Sequence, residues 1–154
     1  MMTLGKGITS GHAPLGAVAV NTKVARFFED HELATGLTHT AHPISLAALV
    51  GNLEAFQEEG LVERSRVLGE ILNERLRLMA KQHAVVRDTR SSGLYGCIEL
   101  DDRIDVKRLK SMAFERHVNM QTRGHCLFIA PPLVISEKDL DRGLDVTEEI
   151  LSLA

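Results

Sequence analysis

Leu4-Gly5-Lys6-Gly7-Ile8-Thr9-Ser10-Gly11-His12-Ala13-Pro14-Leu15-Gly16-Ala17-Val18-Ala19-Val20 is the stretch from which the fold has to be read. Glycines and a proline surround one lysine, which is the composition of a tight loop. The apolar run Leu15 to Val20 that follows is too short for a helix and is bounded by turn residues, so it predicts a buried strand. No second strand lies near it in sequence, and an unpaired strand leaves its backbone groups unsatisfied. The expectation is an N-terminal portion built to sit on a sheet that this chain does not contain.

Downstream the pattern becomes helical. Val24 to Glu32 predicts a small helix carrying Phe27 and Phe28. Pro43 suits a first helical turn, where its missing N–H costs nothing. From Ile44 the apolar residues Leu46, Ala47, Leu49, Val50, Leu53 and Phe56 keep helical spacing as far as Gly60. A second helix is predicted from Leu61 to Gln82, with a stripe of Leu61, Leu68, Leu72, Leu76 and Met79. The remainder alternates. Leu94–Leu100 and Cys126–Ala130 read as strands, the latter stopped by Pro131-Pro132. Asp105 caps a short helix ending near His117, and Ser136 caps a last helix, Glu137 to Leu153, with the stripe Leu140, Leu144, Thr147 and Leu151. The fold class is α/β, with an α+β C-terminal part.

The 154 residues are 44% hydrophobic and 25% charged, ordinary values that exclude disordered, collagen-like and coiled-coil classes. No apolar stretch approaches the ~18 residues of a membrane span, and no signal-peptide core opens the chain. A net charge of −3 argues against a nucleic-acid binder, and 4% aromatic residues leave few platforms for stacked bases. Cys97 and Cys126 are far apart in sequence and have no metal-ligand spacing, so a reduced, cytoplasmic protein is expected.

Three segments can carry chemistry. Lys6 sits in a glycine-shaped loop, and residues 1–28 contain no Asp or Glu to hold its charge. A desolvated lysine of this kind attacks carbonyl carbon to form a Schiff base, while an ordinary exposed lysine is the plainer reading. Gly36-Leu37-Thr38-His39-Thr40-Ala41-His42-Pro43 leads into a helix, where hydroxyls and free N–H groups suit a phosphate; a Thr-rich helix cap is its plainer reading. His39 and His42 lack a third ligand, so no metal site is expected. Arg123, ahead of a strand, can offer a fork to a carboxylate or simply sit on a surface turn. Cys126, in an apolar run, reads as a core residue rather than a nucleophile.

Taken in order, Lys6-Gly7-Ile8-Thr9-Ser10-Gly11, Pro14-Leu15-Gly16-Ala17-Val18, Leu37-Thr38-His39-Thr40-Ala41-His42-Pro43 and Ile129-Ala130-Pro131-Pro132-Leu133-Val134-Ile135-Ser136 resemble the class-III aminotransferases, and within them the omega-amino-acid:pyruvate group. The resemblance extends over essentially the whole chain. It implies a pyridoxal-phosphate (PLP) enzyme of fold type I that moves an amino group from an omega-amino acid or amine to pyruvate or another 2-oxo acid. By the same resemblance Lys6 is the catalytic and cofactor-binding lysine, Thr38 reaches the cofactor phosphate across a dimer interface, and Arg123 grips the substrate carboxylate. Residues 1–60 would be the remnant of the large PLP-binding domain, 61–82 a connecting helix and 83–154 the small domain.

Departures accompany the matches. His12 stands where the family usually has Tyr, Ala41 where it has Gly before His-Pro, and Ser91 where Gly is usual. The glycine/serine phosphate loop, the aromatic residue over the ring and the Asp that pairs with the pyridine nitrogen have no counterpart. The expectation is a C-terminal part of such an enzyme, working as a homodimer or with a complementary N-terminal piece. The alternative is a non-catalytic remnant or interaction module that keeps only the small-domain fold.

Overall fold

The computed structural model describes all of residues 1–154. The chain divides into two compact units, Met1–Gly60 and Leu61–Ala154.

In the first unit, strands β1 (Met2–Leu4) and β2 (Ala17–Ala19) pair antiparallel, Thr3 opposite Val18. This corrects the expectation of a strand without a partner. The partner is a three-residue strand at the start of the chain, too short to show a period. The strand is not buried either: Val18 is 62% exposed, and Ala19 and Val20 are also exposed. Between the two strands Lys6–Thr9 forms a 3-10 turn. Helix α1 is Thr22–Phe27, earlier and shorter than Val24 to Glu32, because the Asn21 side chain accepts from Val24 N and so caps it.

Helix α2 (Pro43–Glu58) starts with proline in its first turn, as expected. Its apolar residues are not a buried stripe. Ser45 is its one buried residue, while Val50 and Leu53 are each more than half exposed. Apolar side chains surround this helix rather than following one face, so the period alone does not show which side is covered.

The second unit is a four-stranded antiparallel sheet with helices against it. Helix α3 (Leu61–Gln82) is followed by β3 (Val86–Ser92), β4 (Tyr95–Leu100), α4 (Val106–Glu115), β5 (Gln121–Arg123), β6 (Cys126–Ile129) and α5 (Glu137–Ser152). The sheet order is β3-β4-β6-β5. The predicted stripes form the core: Leu68, Leu72, Leu76 and Met79 from α3 meet Ile98, Leu100 and Leu127 of the sheet and Leu140, Leu144 and Leu151 of α5. Each fully buried leucine stabilises by roughly 1.5–3 kcal/mol. The caps are also as read. Asp105 accepts from Lys107 N and Arg108 N, and Ser136 Oγ accepts from Asp139 N.

One contact sets how closely α3 lies on the sheet. A Cβ on Gly69 would come within 2.6 Å of Gly93 Cα, in the turn joining β3 to β4. Gly93 itself has φ +52, a left-handed conformation that favours glycine. Backbone therefore meets backbone with no side chain between. Gly69→Ala is expected to cost about 1–3 kcal/mol in urea unfolding, since neither glycine backbone can yield cheaply. Gly143→Ala, in α5 with nothing within 4 Å of a new Cβ, is expected to gain about 0.5–1 kcal/mol. Equal effects of the two changes would contradict this packing.

Candidate functional site

Lys6 is the first residue of the 3-10 turn and has φ 49. A left-handed conformation costs a non-glycine residue about 1–3 kcal/mol and persists where its surroundings over-determine it. Those surroundings are visible. The buried Thr9 hydroxyl donates to Ala13 O at 2.6 Å, closing the loop, and Ser10 N donates to Gly7 O at 3.1 Å. From α2, Asn52 Nδ2 donates to Gly7 O at 3.0 Å and Ile8 O at 3.1 Å. The side chain of Lys6 is exposed, which corrects the expectation of a desolvated amine. The loop shapes the backbone and leaves the amine open. Every ion pair in the structure belongs to an arginine or His125 of the second unit, so Lys6 is held by no carboxylate.

Thr38 lies in the turn before α2. It lines an open groove of about 990 Å³ together with Leu4, Ala17 and Val18 of the β1–β2 pair and the adjoining Gly16. Within the first unit, then, the Thr38 turn and the strands that flank the lysine loop share one concavity. The Thr-rich cap is not what forms. His42 is the N-cap of α2 and makes no side-chain cap bond, while Thr40 turns its hydroxyl back to Leu37 O. The N-terminal N–H groups of α2 are thus left without a side-chain acceptor. His39 and His42 stand with ring centroids 5.8 Å apart, and His42 Nδ1 is buried without a partner. No group of three or more His, Cys, Asp or Glu is arranged to hold a metal ion.

Arg123 belongs to the second unit, ahead of β6 as expected and itself the last residue of β5. The register puts Asp88, Glu99, Cys126 and Arg123 in one row on the sheet face away from the leucine core. Beside it runs the row Arg90, Cys97, Phe128 and Gln121. Arg90 takes both acids, at 2.8 Å from Asp88 and 2.8 Å from Glu99. Arg123 is exposed and without an ion pair, so its guanidinium is free for a carboxylate.

Strands β4 and β6 bring Cys97 and Cys126, distant in sequence, to one face, and both are free thiols. Burial pushes the Cys126 thiol up, and a hydrogen bond shared with Cys97 adds to the shift. Cys126 is half-buried on the face away from the leucine core, which corrects the expectation of a core residue: alternation along β6 gives the core to Leu127 instead. Asn52 and Thr9 were not among the candidates read from sequence. The available signal was an amide on the α2 face that Ser45 begins, at the spacing i and i+7.

PLP needs an amine free of carboxylates, and hydroxyl or N–H donors not spent elsewhere for its phosphate. The open Lys6 amine, the Thr38 hydroxyl and the uncapped start of α2 meet that requirement. The sequence profile of the class-III aminotransferases matches residues 1–151. An omega-aminotransferase of Caulobacter vibrioides is 28% identical over 98% of this chain and 36% of its own length. An ornithine aminotransferase of Bacillus cereus is 33% identical over 99% of this chain and 37% of its own. The PLP-bound amine transaminase of an uncultivated Pseudomonas species superposes with a TM-score of 0.90 at 27% identity, over 98% of this chain and 38% of that one. The chain therefore spans a little over a third of the relatives it matches.

The thiol geometry carries its own expectation. Iodoacetamide labelling of Cys126 in the folded chain should rise with pH later than in the same chain unfolded in urea, because the native thiol gives up its proton at higher pH. Coincident pH profiles would contradict the burial of this thiol.

Proposed function

The chain belongs to the class-III aminotransferases, and from that membership we propose that it is the part of a PLP-dependent transaminase that supplies the cofactor lysine, a phosphate contact and the substrate arginine. The observation that carries the reading is Lys6, an amine free of carboxylates on a turn held in a left-handed conformation. Residues 1–60 are read as the end of the large cofactor-binding domain, 61–82 as the connecting helix and 83–154 as the small domain.

When bound, PLP supplies an electrophilic carbon and an electron-withdrawing ring. Lys6 Nζ would anchor it and would take and return the proton at the carbon that bears the donor amine. Thr38 Oγ1 donates to a phosphate oxygen, with the positive end of α2 adding to the attraction. The Arg123 fork would offer paired N–H donors to the substrate carboxylate.

The donor in this reading is an omega-amino acid or amine, and the acceptor is pyruvate or another 2-oxo acid. Relatives named for omega-amino and ornithine substrates support a donor with a terminal amine. A homodimer, with Thr38 serving the partner's cofactor, is supported by the exposed Val18, Phe27, Phe28 and Leu53 of the first unit. A reduced cytoplasmic setting agrees with the two free thiols.

Titration of the purified chain with PLP, followed by visible absorbance, tests the reading. A saturable yellow signal is expected. Lys6→Ala should abolish it, and Thr38→Val should weaken binding about tenfold, the loss of one hydrogen bond to a charged acceptor. A Lys6→Ala chain that turns yellow as readily as the parent would overturn the assignment.

A further inference from the structure

The less exposed residues of α2, Ser45, Ala48, Leu49, Asn52, Ala55 and Phe56, recur at helical spacing and form one face, and the 3-10 turn that begins with Lys6 packs on this helix. In the middle of that face stands an amide among mostly apolar neighbours. A polar side chain in such a place must find partners. Asn52 finds two, and both are carbonyl oxygens of the lysine turn: Gly7 O at 3.0 Å and Ile8 O at 3.1 Å, reached from the one nitrogen Nδ2. An amide NH₂ has two hydrogens, and this arrangement uses both.

The two carbonyls follow Lys6 directly in the chain. They belong to a turn bracketed by left-handed residues, Lys6 at φ 49 and Ser10 at φ 51. Left to itself, such a turn relaxes toward negative φ. The Thr9 hydroxyl closes the loop from within, whereas Asn52 supplies its side-chain hydrogen bonds from another element. We propose that Asn52 is a positioning residue for Lys6. Its amide clamps the lysine turn onto α2, the helix that the Thr38–His42 turn leads into. The amine for this chain's own cofactor and the hydroxyl offered to the partner's are thereby carried on one clamped segment. The inference rests on Lys6 being the cofactor lysine.

The substitutions separate donation from shape. Asn52→Leu has similar volume and no donor. Asn52→Asp keeps the shape but at neutral pH only accepts, so it faces two carbonyls with a charge. The full chain is incubated with PLP, reduced with borohydride at timed intervals, and the adduct on the Lys6 peptide is quantified by mass mapping. Far-UV circular dichroism reports whether α2 persists. In the parent chain the adduct is expected at Lys6. Both variants should label Lys6 roughly tenfold more slowly while retaining parental helicity. For Asn52→Asp, the rate relative to the parent at each pH should climb as pH falls through the carboxyl range, because the protonated acid regains a donor. A purely structural role would leave that ratio flat. If Asn52→Leu loses helicity, Asn52→Asp alone decides through its pH ratio. A folded variant that labels Lys6 at the parental rate, or a ratio flat with pH, overturns the inference and leaves Lys6 as the cofactor lysine. Absence of any Lys6 adduct in the parent chain overturns the functional reading itself.

Discussion

The meeting of Gly69 with Gly93 is the constraint on which the larger unit depends. Because no Cβ separates the two backbones, α3 lies close enough on the β3–β4 hairpin for Leu72 and Leu76 to reach Gly96 on the sheet. The same helix offers Leu68 and Met79 to the core that α4 and α5 complete. A larger residue at either glycine would lift the helix and open the leucine layer, where unfilled volume is costly. The salt bridges that tie Arg75 to Asp145 and Glu148 of α5 lie at the rim of this packing, partly exposed, and add little beside it.

The first unit is held by different means. Its large apolar side chains are mostly exposed, and none of the ion pairs belongs to it. What holds the lysine loop is a small set of hydrogen bonds: the Thr9 hydroxyl inside the loop and the Asn52 amide from α2. Such bonds stabilise modestly, about 0.5–1.5 kcal/mol each, but they are directional. That suits the proposed task of the segment, presenting one amine in one place. The strain at Lys6 is of the same order as the bonds that maintain it, so removing one bond can release the turn without unfolding α2.

The legible part of the fold was the part whose burial follows a period. Helices α3 and α5 wrote their core faces into leucines three and four residues apart, and Asp105 and Ser136 announced where helices begin. Strand β3 escaped because Arg87, Asp88 and Arg90 populate it and only Val86 is buried, so it alternates nothing apolar. Strands β1 and β5 have three residues each, too few for any alternation to register. The chemistry was legible differently. Lys6 and Thr38 were proposed from glycine spacing and a helix start, and the exposure of Lys6 was misjudged because a loop's composition tells its backbone shape, not its burial. Arg123 was proposed by type, yet its place opposite Cys126, in the row that also holds Glu99, needed the strand register. Asn52 went unread since its partners are backbone atoms, which leave no mark in sequence.

In the reading proposed above, the Gly-rich loop holds the Lys6 amine open in a turn fixed to α2, in reach of a cofactor whose phosphate meets Thr38 of a second copy. A crystal structure of the chain grown with PLP tests that most directly. The account predicts continuous density from Lys6 Nζ into the cofactor, with a phosphate oxygen within hydrogen-bond distance of Thr38 Oγ1 of a second copy of the chain. Cofactor density joined instead to Lys81, Lys107, Lys110 or Lys138 of the second unit, with Lys6 bare, would contradict it.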